Sequence, residues 1–143
     1  MANVGFASEK EYTKFVLANI DEWVLNIFGE TVKNTHQEWY LAKVRRFGAN
    51  QPRIDLMIEL NNGKRIGIEI KNPKQLFHES SRAISQLLSY SIIAEENEVP
   101  IDEMVLVVPE FHPVLGKMIA KYNLPIRVVL ITKTNYGEYV QVG

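Results

Sequence analysis

The chain has 143 residues, 46% of them hydrophobic, and a formal net charge of −1. That length suits one domain around one core, and the composition is that of a globular protein, which excludes a disordered or fibrous chain. Cysteine is absent, which excludes disulfides, a thiol nucleophile, an iron–sulfur cluster and thiolate zinc sites, and fits an intracellular protein. No apolar run approaches the roughly 20 residues needed to span a bilayer. Residues 1–8 lack the basic-then-apolar pattern of a secretory leader.

In chain order, Ser8-Glu9-Lys10-Glu11 reads as a capping box, and apolar residues at 12, 15, 16, 20, 23, 24 and 27 follow at helical spacing. Gly29 is a fitting stop, so one helix is predicted over about 8–28. Glu38–Phe47 alternates around Trp39, Leu41 and Val44 and predicts a strand, closed by a turn at Gly48–Pro52. Ile54–Leu60 predicts a second strand, Asn61-Asn62-Gly63 a hairpin turn, and Ile66–Lys71 a third strand. Three strands with short links make an antiparallel meander. A helix over about Ser80–Glu96 presents Ala83, Ile84, Leu87, Leu88, Ser91 and Ile92 inward. Met104–Val108 is almost wholly apolar and predicts a buried central strand. His112–Tyr122 reads as a helix with Pro113 in its first turn, and Arg127–Ile131 as another buried strand. Asn135-Tyr136-Gly137 reads as a turn into a final strand, Glu138–Val142. The order αβββαβαββ predicts an α/β fold over 1–143, a mixed sheet with helices on its faces.

The chemistry concentrates in the meander. Asp55 interrupts an apolar strand. Glu69 and Lys71 lie two apart on the next strand and share a face, with Ile68 and Ile70 on the other. Charges among apolar neighbours are costly unless they are used or paired. A hairpin register that sets Asp55 beside Glu69 brings together two carboxylates and an ammonium. With an adjacent carbonyl, such carboxylates can hold a hard divalent cation such as Mg²⁺ or Mn²⁺. That ion can stabilise charge on a phosphate, and the lysine can orient water or offset developing charge. Glu-x-Lys alone is equally an ion pair on a strand face. Between residues 43 and 74 eight basic residues meet three acids, a net of +5 against −6 for the remainder. Such asymmetry marks an anion-binding face or simply outward-pointing basic residues on half-exposed strands. Arg45, Arg46, Arg53 and Lys74 are candidate contacts to a phosphate backbone, with a solvated turn lysine as the plainer reading of Lys74. His36, His78 and His112 are too scattered for metal-ligand spacing.

Asp55, thirteen intervening residues and Glu69-Ile70-Lys71 resemble the PD-(D/E)XK superfamily of restriction-endonuclease-like nucleases, whose αβββαβ core matches the predicted order over about 8–108. Residues from about 109 to 143 are then an αββ extension. The chain departs from the pattern at its proline: Pro52 stands three residues before Asp55, and Arg53-Ile54 intervene. Gln86-Leu-Leu-Ser-Tyr90, on the next helix, resembles the Gln-x-x-x-Tyr motif of recombination exonucleases and type I restriction nuclease domains. Gln86 and Tyr90 lie four apart and share a helix face, where a polar stripe bonded to the sheet is the alternative. The resemblance implies a metal-dependent deoxyribonuclease in restriction, recombination or repair. Asp55 and Glu69 would hold metal, Lys71 would assist catalysis, and Gln86 and Tyr90 would support the site or contact DNA. It also implies a metal-proximal acid on the first helix, with Glu11 the first candidate and Glu9 the second. Glu11 acting only as a helix cap is the alternative. DNA is the implied partner, and a homodimer or larger complex fits cleavage of two strands. A non-catalytic nucleic-acid- or protein-binding module on the same fold is the competing reading.

Overall fold

The computed structural model describes residues 6–41, 52–71 and 76–138. Its elements are α1 (Glu9–Ala18), α2 (Ile20–Phe28), β1 (Val32–Tyr40), β2 (Arg53–Leu60), β3 (Arg65–Ile70), α3 (Leu76–Glu96), β4 (Glu103–Val108), α4 (Pro113–Tyr122), β5 (Ile126–Ile131) and β6 (Tyr136–Glu138). The strands form one six-stranded sheet in the order β1-β2-β3-β4-β5-β6. The first three are antiparallel, β3, β4 and β5 are parallel, and β6 returns antiparallel to β5. The mixed α/β fold expected from the sequence is the fold observed. Its αββ extension adds strands to the same sheet.

The first helix is two. Asn19 leaves helical geometry (φ −112°, ψ 18°), and its Nδ2 donates to Phe15 O at 2.9 Å. Asparagine competes in this way for backbone carbonyls, which a count of apolar positions does not register. Ser8 Oγ accepts from Glu11 N, and Gly29 closes α2 at φ +68°, as expected.

β1 begins at Val32 rather than Glu38 and is exposed along most of its length. No apolar alternation announces residues 32–37 because the ladder to β2 holds them and burial does not. The pairs run from Val32↔Leu60 to Tyr40↔Arg53. The remainder of the expected strand, 42–47, and most of the Gly48–Pro52 turn lie outside the described residues. The hairpin at Asn61–Gly63 is as expected, with Gly63 at φ +91°. α3 starts four residues before Ser80, and Phe77 and His78 in that first turn are exposed, so no burial pattern announces it. The last turn sits at Thr132–Asn135, where Thr132 Oγ1 accepts from Asn135 N. Tyr136 and Gly137 are therefore in β6, and 139–142 lie outside the described residues.

Alternation divides the sheet's side chains between two layers. Leu56, Ile58, Ile66, Ile68, Ile70, Val105, Val107, Val129 and Ile131 pack with Tyr12, Val16, Trp23 and Val24 of α1 and α2. Met104, Leu106, Val108, Ile126 and Val128 pack with Ala83, Ile84, Leu87 and Leu115 of α3 and α4. Tyr12 donates to Ile131 O at 2.8 Å, which ties the start of α1 to the C-terminal end of β5.

The alternation reverses at one place. Leu56 belongs to the α1/α2 layer, yet Ile54, two residues earlier, packs with Met57 and Ala94 on the α3 side. Its Cδ1 lies 3.1 Å from where a Cβ on Gly67 would stand, and Met104 Sδ lies at 3.0 Å. Gly67 therefore leaves the room that lets Ile54 cross. Opposite Asp55, between the pairs Gln37↔Leu56 and Trp39↔Ile54, Glu38 has φ +54°. The two strands are thus irregular at the same level, the kind of local distortion that re-aims a side chain. Gly67→Ala should lower stability by about 1–3 kcal/mol through overpacking against Ile54 and Met104. A chemical-denaturation midpoint equal to wild type would show that these side chains move aside freely.

Candidate active site

The irregularity lies where β2 and β3 stop pairing. Leu56↔Ile68 is the last residue pair of their ladder on this side, although β2 continues back to Arg53 and β3 on to Ile70. Two backbone N–H groups beyond that pair would lack strand partners, and two carboxylates take them. Asp55 N donates to Glu69 Oε1 at 2.9 Å, and Ile70 N donates to Asp55 Oδ2 at 2.9 Å. Each acid accepts from the other's strand, so the pair splints the gap. The second oxygen of each carboxylate, Asp55 Oδ1 and Glu69 Oε2, has no hydrogen bond among the described residues.

The two acids differ in environment. Asp55 is exposed, whereas Glu69 is only 2% exposed. Burial and then the charge of Asp55 push the Glu69 carboxyl up to about 8. The Asp55 N–H and the charge of Lys71 act in the opposite direction. Lys71 is half-buried, and its N–H donates to Val107 O at 3.0 Å, which anchors it at the C-terminal edge of the parallel strands. Ligands in open α/β sheets commonly bind at that edge.

The helix over this end of the sheet brings a further group. Gln86 Nε2 donates to the Tyr90 hydroxyl at 2.8 Å, and both residues are half-buried on α3. Desolvation and the charges of Glu69 and Asp55 raise the Tyr90 phenol, while the Gln86 bond and Lys71 lower it, for a net rise. Asp55, Glu69, Lys71, Gln86 and Tyr90 therefore share one neighbourhood, although 35 residues separate the first from the last in sequence.

Other candidates are placed differently. Among the first-helix acids, Glu9 is the one whose charge acts on Glu69; it lies one turn ahead of buried Tyr12. Glu11 is exposed, its N–H held by the Ser8 cap. Among the described residues no three acid or histidine side chains gather into a metal cage, so Asp55, Glu69 and Glu11 are not brought together as a trio. Arg53 is exposed and ion-paired to Glu38 at 3.5 Å, with Tyr40 beneath its guanidinium. The charge of Asp55 also acts on it. Lys74, Arg45 and Arg46 lie outside the described residues. Tyr40 and Glu38 carried no motif, and only the β1–β2 register reveals their place beside Asp55.

The pair of acids suits a divalent cation. Burial and then the neighbouring Asp55 charge hold a proton on Glu69, and each acid offers an oxygen with no hydrogen bond among the described residues. Hard oxygen donors of this kind are what Mg²⁺ and Mn²⁺ take, with water completing the shell. By contrast, the 420 Å³ cleft at the opposite edge is lined by Glu95, Glu98, Asp102 and Glu103, a wall of charge that disfavours a polyanion.

Against known proteins, no family model and no curated protein matches the chain. Solved structures do share its fold. The crystal structure of a repair endonuclease from Pyrococcus abyssi superposes with a TM-score of 0.54 at 23% identity, covering 87% of this chain and 48% of that one. The structure of an EndoMS-dsDNA2 complex superposes at 0.50 with 19% identity, covering 88% and 46%. The chain thus spans about half the length of these structures, and at these identities the likeness establishes the fold. No helix among the described residues is long and apolar enough to cross a membrane.

The raised Glu69 carboxyl has a consequence for stability. The folded chain keeps this proton to higher pH than the unfolded chain, where a glutamate titrates near its ordinary 4.5. Between about 4.5 and about 8 the folded state therefore binds more protons, and stability falls as pH rises through that window. In chelator, the urea midpoint of wild type should drop more steeply from about pH 5 to about pH 8 than that of Glu69→Gln. Parallel slopes for the two proteins would show that Glu69 titrates as an ordinary exposed acid.

Proposed function

We propose that the chain is a divalent-metal-dependent nuclease that hydrolyses phosphodiester bonds in DNA, working in repair. The observation that carries this is the Asp55–Glu69 pair with Lys71 beside it, at the C-terminal edge of the parallel strands. The shared fold with a repair endonuclease and with EndoMS supports DNA as substrate and repair as the process.

Asp55 and Glu69 would hold Mg²⁺ or Mn²⁺ through the oxygens that the backbone leaves free. The bound cation would supply positive charge against the phosphate and make water a better nucleophile at neutral pH. Lys71, already close enough to act on the Glu69 charge, is placed to orient that water and to offset charge developing on the phosphate. The Gln86–Tyr90 pair supports the site: the amide fixes the phenol, and the phenol hydroxyl stays protonated as a donor. Glu9 adds negative potential on the α1 side.

One observation favours a second reading. Both acids satisfy backbone N–H groups, so a non-catalytic binding module would keep them for its fold. Asp55→Asn and Glu69→Gln separate the two readings, because an amide oxygen can still accept those bonds while the charge is lost. Alanine at either position would in addition leave a donor unsatisfied and cost about 1–3 kcal/mol.

The test is cleavage of linear duplex, closed circular, single-stranded and four-way-junction DNA with Mg²⁺, Mn²⁺ or chelator. Wild type should cut in a metal-dependent manner. Both amide variants should fold normally and lose cutting, and Lys71→Ala should slow it by about 10²–10³-fold. Amide variants that cut like wild type would sink the assignment of the two acids. A folded wild type that binds no metal and cuts nothing would leave the binding module. Because cation and proton compete for Glu69, metal affinity should rise with pH up to about 8 and level off above it. A titration of Mn²⁺ binding that is flat across this range would exclude Glu69 as a ligand.

A further inference from the structure

Beside Asp55 stands a group of side chains that take no part in the hydrolytic step itself. Tyr40, the last residue of β1, is 53% exposed and pairs in register with Arg53 of β2. The Arg53 guanidinium lies 5.9 Å from the centre of the Tyr40 ring and 3.5 Å from Glu38. The two strand ends are closed by Leu41 N donating to Pro52 O at 2.9 Å, so Tyr40 and Arg53 sit at a fixed neck. Glu38 reaches Arg53 from a backbone with φ +54°, a conformation that strains a non-glycine residue and is often kept for function.

We propose that Tyr40 and Arg53 form a nucleotide-binding subsite next to the scissile bond, in which an unpaired base of the DNA stacks on Tyr40 and its phosphate binds Arg53. Glu38 would hold that place until DNA arrives. The inference rests on the nuclease reading and names the substrate form it favours: DNA with unstacked nucleotides beside the cut. Three features point to this occupant. Tyr40 is a half-exposed aromatic ring with one side attended by a cation, the arrangement on which bases of single strands stack. Arg53 is a planar fork two residues from Asp55, whose charge it feels. The Arg53–Glu38 bridge has side chains 49% and 66% exposed, so it is weak, and a phosphate can replace it with a stronger charge-assisted bond.

The experiment measures binding of wild type and variants to fluorescent duplex, gapped duplex and single-stranded DNA in chelator, and cleavage of the same DNAs with Mg²⁺. Tyr40→Ala should weaken binding to gapped and single-stranded DNA about tenfold and raise KM there, leaving intact duplex and kcat nearly unchanged. Tyr40→Phe should retain wild-type binding. Arg53→Ala should weaken every DNA and make the salt dependence of log K shallower by about 0.7–0.9. Glu38→Gln, which keeps length and backbone, should tighten binding about threefold by freeing Arg53. If wild type cuts DNA while Tyr40→Ala binds all forms like wild type, or loses all forms equally, this subsite is overturned and the nuclease reading stands. If wild type neither binds nor cuts any DNA, both are overturned together.

Discussion

The gap between β2 and β3 organises this end of the molecule. Antiparallel strands exchange N–H···O bonds as far as Leu56 and Ile68, and then they stop. A buried N–H without a partner is expensive, so the opening persists only because two side chains supply the missing acceptors. Those side chains are the carboxylates of Asp55 and Glu69. Each is thereby fixed by a backbone bond, so under the proposed function the remaining oxygens would need little rearrangement to meet a cation. Fold and site are in this sense one feature: what holds the strands' ends also aims the acids.

The surroundings follow from that opening. For Asp55 to turn toward β3, the pleat of β2 must reverse, which carries Ile54 to the α3 side. Gly67 is where Ile54 arrives, and a side chain there would collide with it and with Met104. On the other side, Glu38 answers with a left-handed backbone directly opposite Asp55. The distortion is shared over three strands and ends at the exposed edge, among Tyr40, Arg53 and Glu38. A chain of local constraints thus links a buried glycine, the acid pair and the outer rim.

Electrostatically, the site holds one more negative charge than it can keep comfortably. Burial and Asp55 keep the Glu69 proton bound, Glu9 adds to that, and the Lys71 ammonium only partly offsets it. Such a poised pair is common where function needs a cation, and structural ion-pair networks also produce it. What distinguishes the present case is that the charges of Lys71 and both acids also reach the Tyr90 phenol, itself fixed by Gln86. Four elements contribute to one neighbourhood, and three of them meet at the C-terminal edge of the parallel strands.

Much of this was legible in the sequence, and the reasons are local. Apolar periodicity placed α3, β4, α4 and β5 because burial on one or both faces writes itself into the spacing of Ala83, Ile84 and Leu87 and into the runs at 104–108 and 127–131. Turn chemistry fixed the Asn61–Gly63 hairpin, and that hairpin set the register bringing Asp55 to Glu69. The spacing of Glu69 and Lys71, and of Gln86 and Tyr90, followed from strand and helix periods. Where side chains bury little, the signal vanished: β1 is exposed over most of its length, and Phe77 and His78 in the first turn of α3 are exposed. The break at Asn19 and the turn at Thr132 carry local side-chain hydrogen bonds, which a pattern of apolar positions does not register. Only the tertiary structure decided that the pleat reverses at Asp55, that Glu9 acts on Glu69, and that Tyr40 and Glu38 flank the acids. Those facts come from how separate strands and helices meet, and no spacing along one segment encodes such a meeting.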